Sequence, residues 1–258
     1  MKFFIRKIIN TKLAIMFRNL FKIRPVYFNH FKNLNNSSIS DSFCWRTDNG
    51  FTTKFKFSDI LNLFFQLKNS WVEIDFFDKN NNFLKKIKVN DLKLSNEIII
   101  DKKFLNGKED YGSFYIYHFI DNFKNYANET LINRCYTGFS KENKFFSFVH
   151  GNTISKYKKN DDRENELTNL VSTSYLKNHY YKIQKKFNED ENSELVFINP
   201  TDKKIDFSID DKNYLLEGGC SQKIRFTNKK TVTIKTNCLW LRPLVFSYKK
   251  DFFDVHHS

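Results

Sequence analysis

Trp71-Val72-Glu73-Ile74-Asp75-Phe76-Phe77, then the tract Asp78-Lys79-Asn80-Asn81-Asn82, then Phe83-Leu84-Lys85-Lys86-Ile87-Lys88-Val89: this stretch decides the fold class. In the first run Val72, Ile74 and Phe76 alternate with Glu73 and Asp75. Successive side chains of an extended chain point to opposite faces, so such a run buries one face and keeps the other polar. Asp and Asn close turns through their own side chains and tolerate left-handed backbone, which makes the middle tract a turn between two strands.

The same signature extends in both directions. Upstream lie Phe43–Arg46 and Phe51–Phe57, separated by Asp48-Asn49-Gly50. Downstream lie Glu97–Asp101, Tyr111–Phe119, Leu131–Phe139 and Lys144–His150, with Asn106-Gly107 as a further turn. A second series runs through His179–Phe187, Glu194–Asn199, Lys204–Ile209, Gln222–Phe226, Thr231–Thr236 and Leu244–Tyr248. Its turn signals are Asn199-Pro200-Thr201-Asp202, Asp210-Asp211-Lys212-Asn213 and Gly218-Gly219. Residues Asn33 to Asp41 read as a loop, and Asp59–Leu67 as a short helix. No series of helical stretches alternates with the strands, as a parallel βαβ sheet requires. The expectation is an all-β, mainly antiparallel chain of one or two β-sandwich or jelly-roll-like units.

The most polar stretch, Tyr157 to Asn169, divides the strand series. It gives a basic amphipathic arm over 1–34, a first unit over 35–157, a linker or loop over 158–169 and a second unit over 170–258. Val72–Phe77 and Phe83–Val89 are matched in rhythm by Leu195–Asn199 and Lys204–Ile209. That parallel reads either as a duplicated unit or as two similar meanders.

Composition agrees with sheet. Thirty Phe and 12 Tyr stand against two Met, so flat aromatic side chains fill the core and suit pleated surfaces. Lys and Arg total 43 against 29 acidic residues. Eight of the basic residues and none of the acidic ones fall within residues 1–40, so the charge-driven partner belongs mainly to that arm. Cys44, Cys135, Cys220 and Cys238 have no paired short spacing, which fits free thiols rather than a disulfide framework or a zinc site. No secretory leader and no transmembrane span is expected, because Arg18 closes the longest N-terminal apolar run, Leu13 to Phe17. The expected location is the cytoplasm, with peripheral association at a membrane's inner face as an extension.

That extension rests on the arm. Ile5, Ile9, Leu13, Met16, Leu20 and Ile23 recur at helical spacing, with Lys7, Thr11, Arg18 and Lys22 opposite and Pro25 as the stop. Ile5, Lys7, Ile9, Leu13, Met16, Arg18, Leu20 and Lys22 are the candidate contacts with an anionic membrane surface. Docking of the helix on the protein's own body and an organelle transit peptide are the competing readings.

Candidate ligand residues are Tyr117, His118, Arg134, Tyr136, His150 and Asn152, to which Trp45, Arg46 and Arg242 add stacking and anion-binding groups. Asp254 and His256 with His150 form a candidate metal set. In a strand, however, Asp254 and His256 share a face that His257 does not. No other cofactor is expected. Lys144–Gly151 is similar in part to the aromatic strand of the RNA-recognition motif. It departs at Phe145, Ser147 and Gly151 and lacks the βαβ context, so nucleic acid is disfavoured. Phosphate-binding glycine loops and common hydrolase motifs are missing. The sequence thus points to a non-catalytic binding or scaffold protein for a glycan or another hydroxyl-rich or anionic ligand. The alternative is a metal-dependent hydrolase or isomerase built on the His, Arg and Asn cluster.

Overall fold

The computed structural model describes residues 13–14, 17, 21, 37–121, 130–133, 135–142, 145–152, 154–159, 168–169, 171, 173, 178–183, 192–226, 231–238, 241–248 and 253–257. The chain is nearly all antiparallel β. Its first half carries β1 (Ser37–Asp41), β2 (Phe43–Arg46), β3 (Phe51–Phe57), helix α1 (Ile60–Phe65), β4 (Trp71–Asp78), β5 (Phe83–Val89) and β6 (Asn96–Ile100). It continues with β7 (Tyr111–Phe119), β8 (Thr130–Asn133), β9 (Tyr136–Lys141), β10 (Ser147–His150), β11 (Ile154–Lys159) and β12 (Thr168–Asn169). The second half carries β13 (His179–Ile183), β14 (Asn192–Ile198), β15 (Ile205–Ile209), β16 (Lys212–Leu216), β17 (Ser221–Phe226), β18 (Val232–Thr236), β19 (Leu244–Tyr248) and β20 (Phe253–His257).

These strands make five four-stranded sheets. Sheet I has the order β2-β7-β4-β5, sheet II β10-β9-β3-β6, sheet III β12-β11-β1-β8, sheet IV β13-β18-β15-β16 and sheet V β17-β14-β19-β20. Every pairing is antiparallel except β1 with β8. The apolar face of β4 supplies Val72, Ile74 and Phe76 to a core between sheets I and II. There Phe114 stacks with Phe43 and Phe76 and meets Phe55 edge-on at 4.8 Å. A second core joins the other end of sheet II to sheet V through Phe51, Phe139, Val196, Phe246 and Val255. The opposite face of sheet V, through Leu195, Phe197 and Val245, packs on sheet IV. Sheet V is therefore buried on both faces, which explains the unbroken apolar run Leu195–Ile198.

The turn after β4 forms as its residues require. Asp78 Oδ1 accepts from the backbone N–H groups of Asn80 and Asn82, and Asn81 takes a left-handed φ of 63°. Helix α1 starts at an Asp59 cap that accepts from Asn62 N–H and ends at the left-handed Gln66.

Several expectations are corrected. Ser37–Asp41 is a strand, not a loop, and its serines do structural work. Ile116 N–H donates to Ser40 Oγ at 2.9 Å, and His118 N–H donates to Ser38 Oγ at 2.8 Å. Hydroxyls thus replace carbonyls as acceptors along the edge of β7, so a polar stretch can be buried. Leu131–Phe139 divides into β8 and β9, which belong to different sheets. Asp210 and Asp211, both at positive φ, form a two-residue hairpin turn, and Lys212–Leu216 continues as β16. Strand β11 reaches into the polar stretch at Lys158 and Lys159 and pairs with β1. The matched rhythm of the two halves does not reflect matched pairing: β4 and β5 form a hairpin, whereas β14 and β15 lie in different sheets.

All four cysteines are free thiols, and burial pushes Cys44 up to about 12. Among the described residues no helix is long and apolar enough to cross a membrane. The candidate membrane contacts Ile5, Lys7, Ile9, Met16, Arg18, Leu20 and Lys22 lie outside the described residues. Leu13, which is described, is exposed.

Candidate functional site

Because Phe51, Thr53, Phe55 and Phe57 point inward, β3 turns Lys54 and Lys56 outward. Register carries the pattern across sheet II. Lys56 lies opposite Tyr136 and Glu97, Lys54 lies opposite Gly138 and Ile99, and on β10 Phe148 and His150 lie opposite Gly138 and Tyr136. The result is an exposed aromatic and basic face. Tyr136 is 56% exposed and Phe148 39%. Gly138 makes the arrangement possible, since a Cβ there would run into the Phe148 ring, which instead lies over bare backbone. Lys56 Nζ sits 5.1 Å from the Phe148 ring centre, and Lys54 Nζ 4.9 Å from that of Phe146. Glu97, 3.4 Å from Lys54, is the sole acid on this face among the described residues.

At the β10 edge the last strand of the chain closes on this face. His150 and His257 stack with centroids 4.4 Å apart, and His257 Nε2 donates to the His150 carbonyl at 2.6 Å. Burial pushes the His257 imidazole down to about 4, the His150 hydrogen bond opposes this, and the neighbouring His150, Arg242 and His256 push it further down. His257 is therefore a neutral donor at neutral pH. Asn152 donates its amide to the Arg242 carbonyl, and the Arg242 guanidinium lies 5.7 Å from the Tyr181 ring centre. Tyr136, His150, Asn152 and Arg242 thus come together along one edge.

The remaining candidates go elsewhere. Tyr117 and His118 are adjacent on β7 and face opposite sides of sheet I. His118 is a core residue: burial pushes it down to about 4, and its Nδ1 contacts Asn133 Oδ1 at 2.5 Å. Asn133 uses its amide N–H groups on Ser38 and Ile39, so its oxygen accepts and His118 Nδ1 carries the proton. Arg134 lies outside the described residues. Trp45 is buried, with Nε1 donating to the Phe77 carbonyl at 2.8 Å.

Arg46, also fully buried, is engaged by protein groups on every side. Its Nε and one terminal nitrogen donate to Asp48 at 2.9 and 3.0 Å, its Nη1 lies 2.7 Å from Glu194 of β14, and Phe51 stacks at 4.0 Å. It joins the two halves of the chain and leaves no free fork for a ligand. The candidate metal set does not assemble either. His150 stacks on His257, while strand alternation turns Asp254 and His256 to the other face of β20, where they lie 3.5 Å apart. Among the described residues no group of three or more metal-ligating side chains converges.

Sequence reasoning missed Lys54, Lys56 and Phe148 as parts of one face. Their alternation is visible in Phe51–Phe57 and in Phe146, Phe148 and His150, but only register places the two runs side by side.

No protein-family model and no curated protein matches the chain. Among solved structures it is similar to a Cupin 2 conserved barrel domain protein from Leptotrichia buccalis. Identity is 11%, 78% of this chain and 82% of that chain are covered, and the TM-score is 0.17. This is a weak likeness between β-rich chains, and no residue role is carried across it.

Proposed function

We propose that the chain is a non-catalytic binding protein whose outer sheet II face takes an acidic glycan. The observation that carries this reading is the exposed pair Tyr136 and Phe148, held on a sheet and flanked by Lys54, Lys56 and His150. Sugar rings present flat C–H faces that pack on aromatic rings, and their hydroxyls suit the imidazole and amide groups at the β10 edge. The surplus of cations over Glu97 favours a carboxylated or sulfated chain over a neutral one.

Binding to immobilised polygalacturonate, dextran and oligouridylate tests the proposal. Polygalacturonate is expected to bind, with affinity falling as salt rises, and dextran to bind weakly. Tyr136→Ala and Phe148→Ala should each weaken binding roughly ten-fold, the loss of about 1.4 kcal/mol for one ring contact. Gly138→Ala should do the same by displacing the Phe148 ring while leaving that ring present. Equal affinity for dextran would remove the acidic requirement. Binding of oligouridylate alone would replace the glycan with single-stranded nucleic acid.

A further inference from the structure

The outer face of sheet I carries charged groups among its aromatic rings even though sheet III covers it. Glu73 and Asp75 on β4 stand opposite Tyr117 and Tyr115 on β7. From β11, Lys158 Nζ lies 4.6 Å from the centre of the Tyr117 ring and Lys156 Nζ 4.5 Å from that of Tyr115. The two lysines repeat one geometry at the two-residue strand interval, yet their charge surroundings differ. Lys158 Nζ is 2.5 Å from Asp75 Oδ2 and 3.6 Å from Glu73 Oε2. Lys156, only 6% exposed, pairs with no carboxylate among the described residues, and its Nζ lies over the Tyr115 ring and 5.1 Å from the centre of the Phe77 ring. The hydroxyls of Tyr115 and Tyr117 are buried and have no hydrogen-bond partner among the described residues.

A largely buried cation without a paired carboxylate, and two buried hydroxyls without a partner, among the described residues, are each unfavourable in a folded chain. All three sit on one face, where the carboxylates present, Glu73 and Asp75, are paired with Lys158 and Lys86 instead. Lys158 shows what a satisfied lysine looks like at the neighbouring position. We infer that Lys156, Tyr115 and Tyr117 form a site for a small oxyanion, a carboxylate or phosphate group, separate from the outer face of sheet II. Lys158 and Lys86 together balance Asp75 and Glu73, which leaves Lys156 as the unbalanced charge that draws the anion. Lys86, 3.4 Å from Glu73 and partly exposed, marks the solvent side of the cluster.

Calorimetric titration and thermal melting with inorganic phosphate and with acetate, at matched ionic strength, test the site on the full chain. One probe is expected to bind saturably and raise the melting temperature, and which one binds separates phosphate from carboxylate. Lys156→Met should weaken that binding roughly ten-fold or more, as should the Tyr115→Phe, Tyr117→Phe double variant, whose packing is unchanged. Lys56→Met, on the sheet II face, should leave it intact. Without added anion, Lys156→Met should melt no lower than the parent, because it removes an uncompensated charge, whereas Lys158→Met should melt lower. Absence of saturable binding by both probes, or undiminished binding by Lys156→Met, would overturn the inference. A fall in melting temperature as large for Lys156→Met as for Lys158→Met would overturn it too, by making Lys156 a structural cation.

Discussion

Replacing Arg46 by Met keeps much of the side chain's volume and removes the charge that joins the two halves of the chain. The parent guanidinium makes two hydrogen bonds to Asp48 and an ion pair to Glu194, and all of this lies out of water. Removing one partner of such a group leaves buried carboxylates under-compensated, at about 3–5 kcal/mol. Lys223 still contacts Asp48, and Arg225 still reaches Glu194 at 3.1 Å, so the lower end, about 3 kcal/mol, is expected. For a chain of this size that corresponds to a fall in melting temperature of roughly 6–12 °C.

Urea unfolding at constant m-value measures the loss directly. The pH dependence adds a second readout. Burial would raise the Asp48 carboxyl, but the Arg46 hydrogen bonds and charge, with those of Lys223, hold it below its usual 3.8. A depressed carboxylate contributes stability that is present above the unfolded value and lost as pH falls through the folded one. Arg46→Met should therefore move acid unfolding to higher pH. A loss under about 1 kcal/mol, the range of exposed ion pairs, together with an unmoved acid transition, would refute the reasoning.

Three further outcomes follow from buried groups elsewhere. His118, neutral in the core at about 4 against an ordinary 6.5, contributes stability that is complete above 6.5 and lost as pH falls through that window. The loss is about 3 kcal/mol, and His118→Gln should flatten denaturation between pH 6.5 and 4.5; an unchanged slope would contradict the assignment. Ser40→Ala and Ser38→Ala each strand a β7 N–H and should cost about 1–2 kcal/mol in urea unfolding, with faster exchange of the Ile116 and His118 amides as the local sign. Gly112→Ala places a Cβ against the Phe77 carbonyl and within 2.8 Å of Trp45 Nε1, where backbone cannot yield. It should cost about 1–3 kcal/mol, and a neutral effect would show that sheet I is looser than its packing implies.

The Trp71–Val89 hairpin was legible because its alternation and its Asp/Asn turn are local signals. Ser37–Asp41 was not: five residues with four polar side chains look like a loop until β7 supplies donors for the serine hydroxyls. Phe253–His257, read from the sequence only as part of a candidate metal set, is the fourth strand of sheet V, anchored by Phe253 and Val255. Of the eight candidate ligand residues that the structure describes, four came together and four did not. Tyr117 and His118 are neighbours in sequence and opposite in space, whereas Tyr136 and His150 are distant in sequence and directly paired.

By itself the sequence determined that period-two patterning makes this a β chain, and that its thiols are scattered and its turns built on Asn and Asp. It determined these because each depends on residues only a few positions apart. Tertiary structure alone decided which strands pair, and hence that Arg46 serves as a bridge rather than a ligand arm. It also decided that, among the described residues, Lys158 pairs with acids and Lys156 does not. Register between distant strands is a long-range property, and a shift of one residue would turn each of those side chains to the other face.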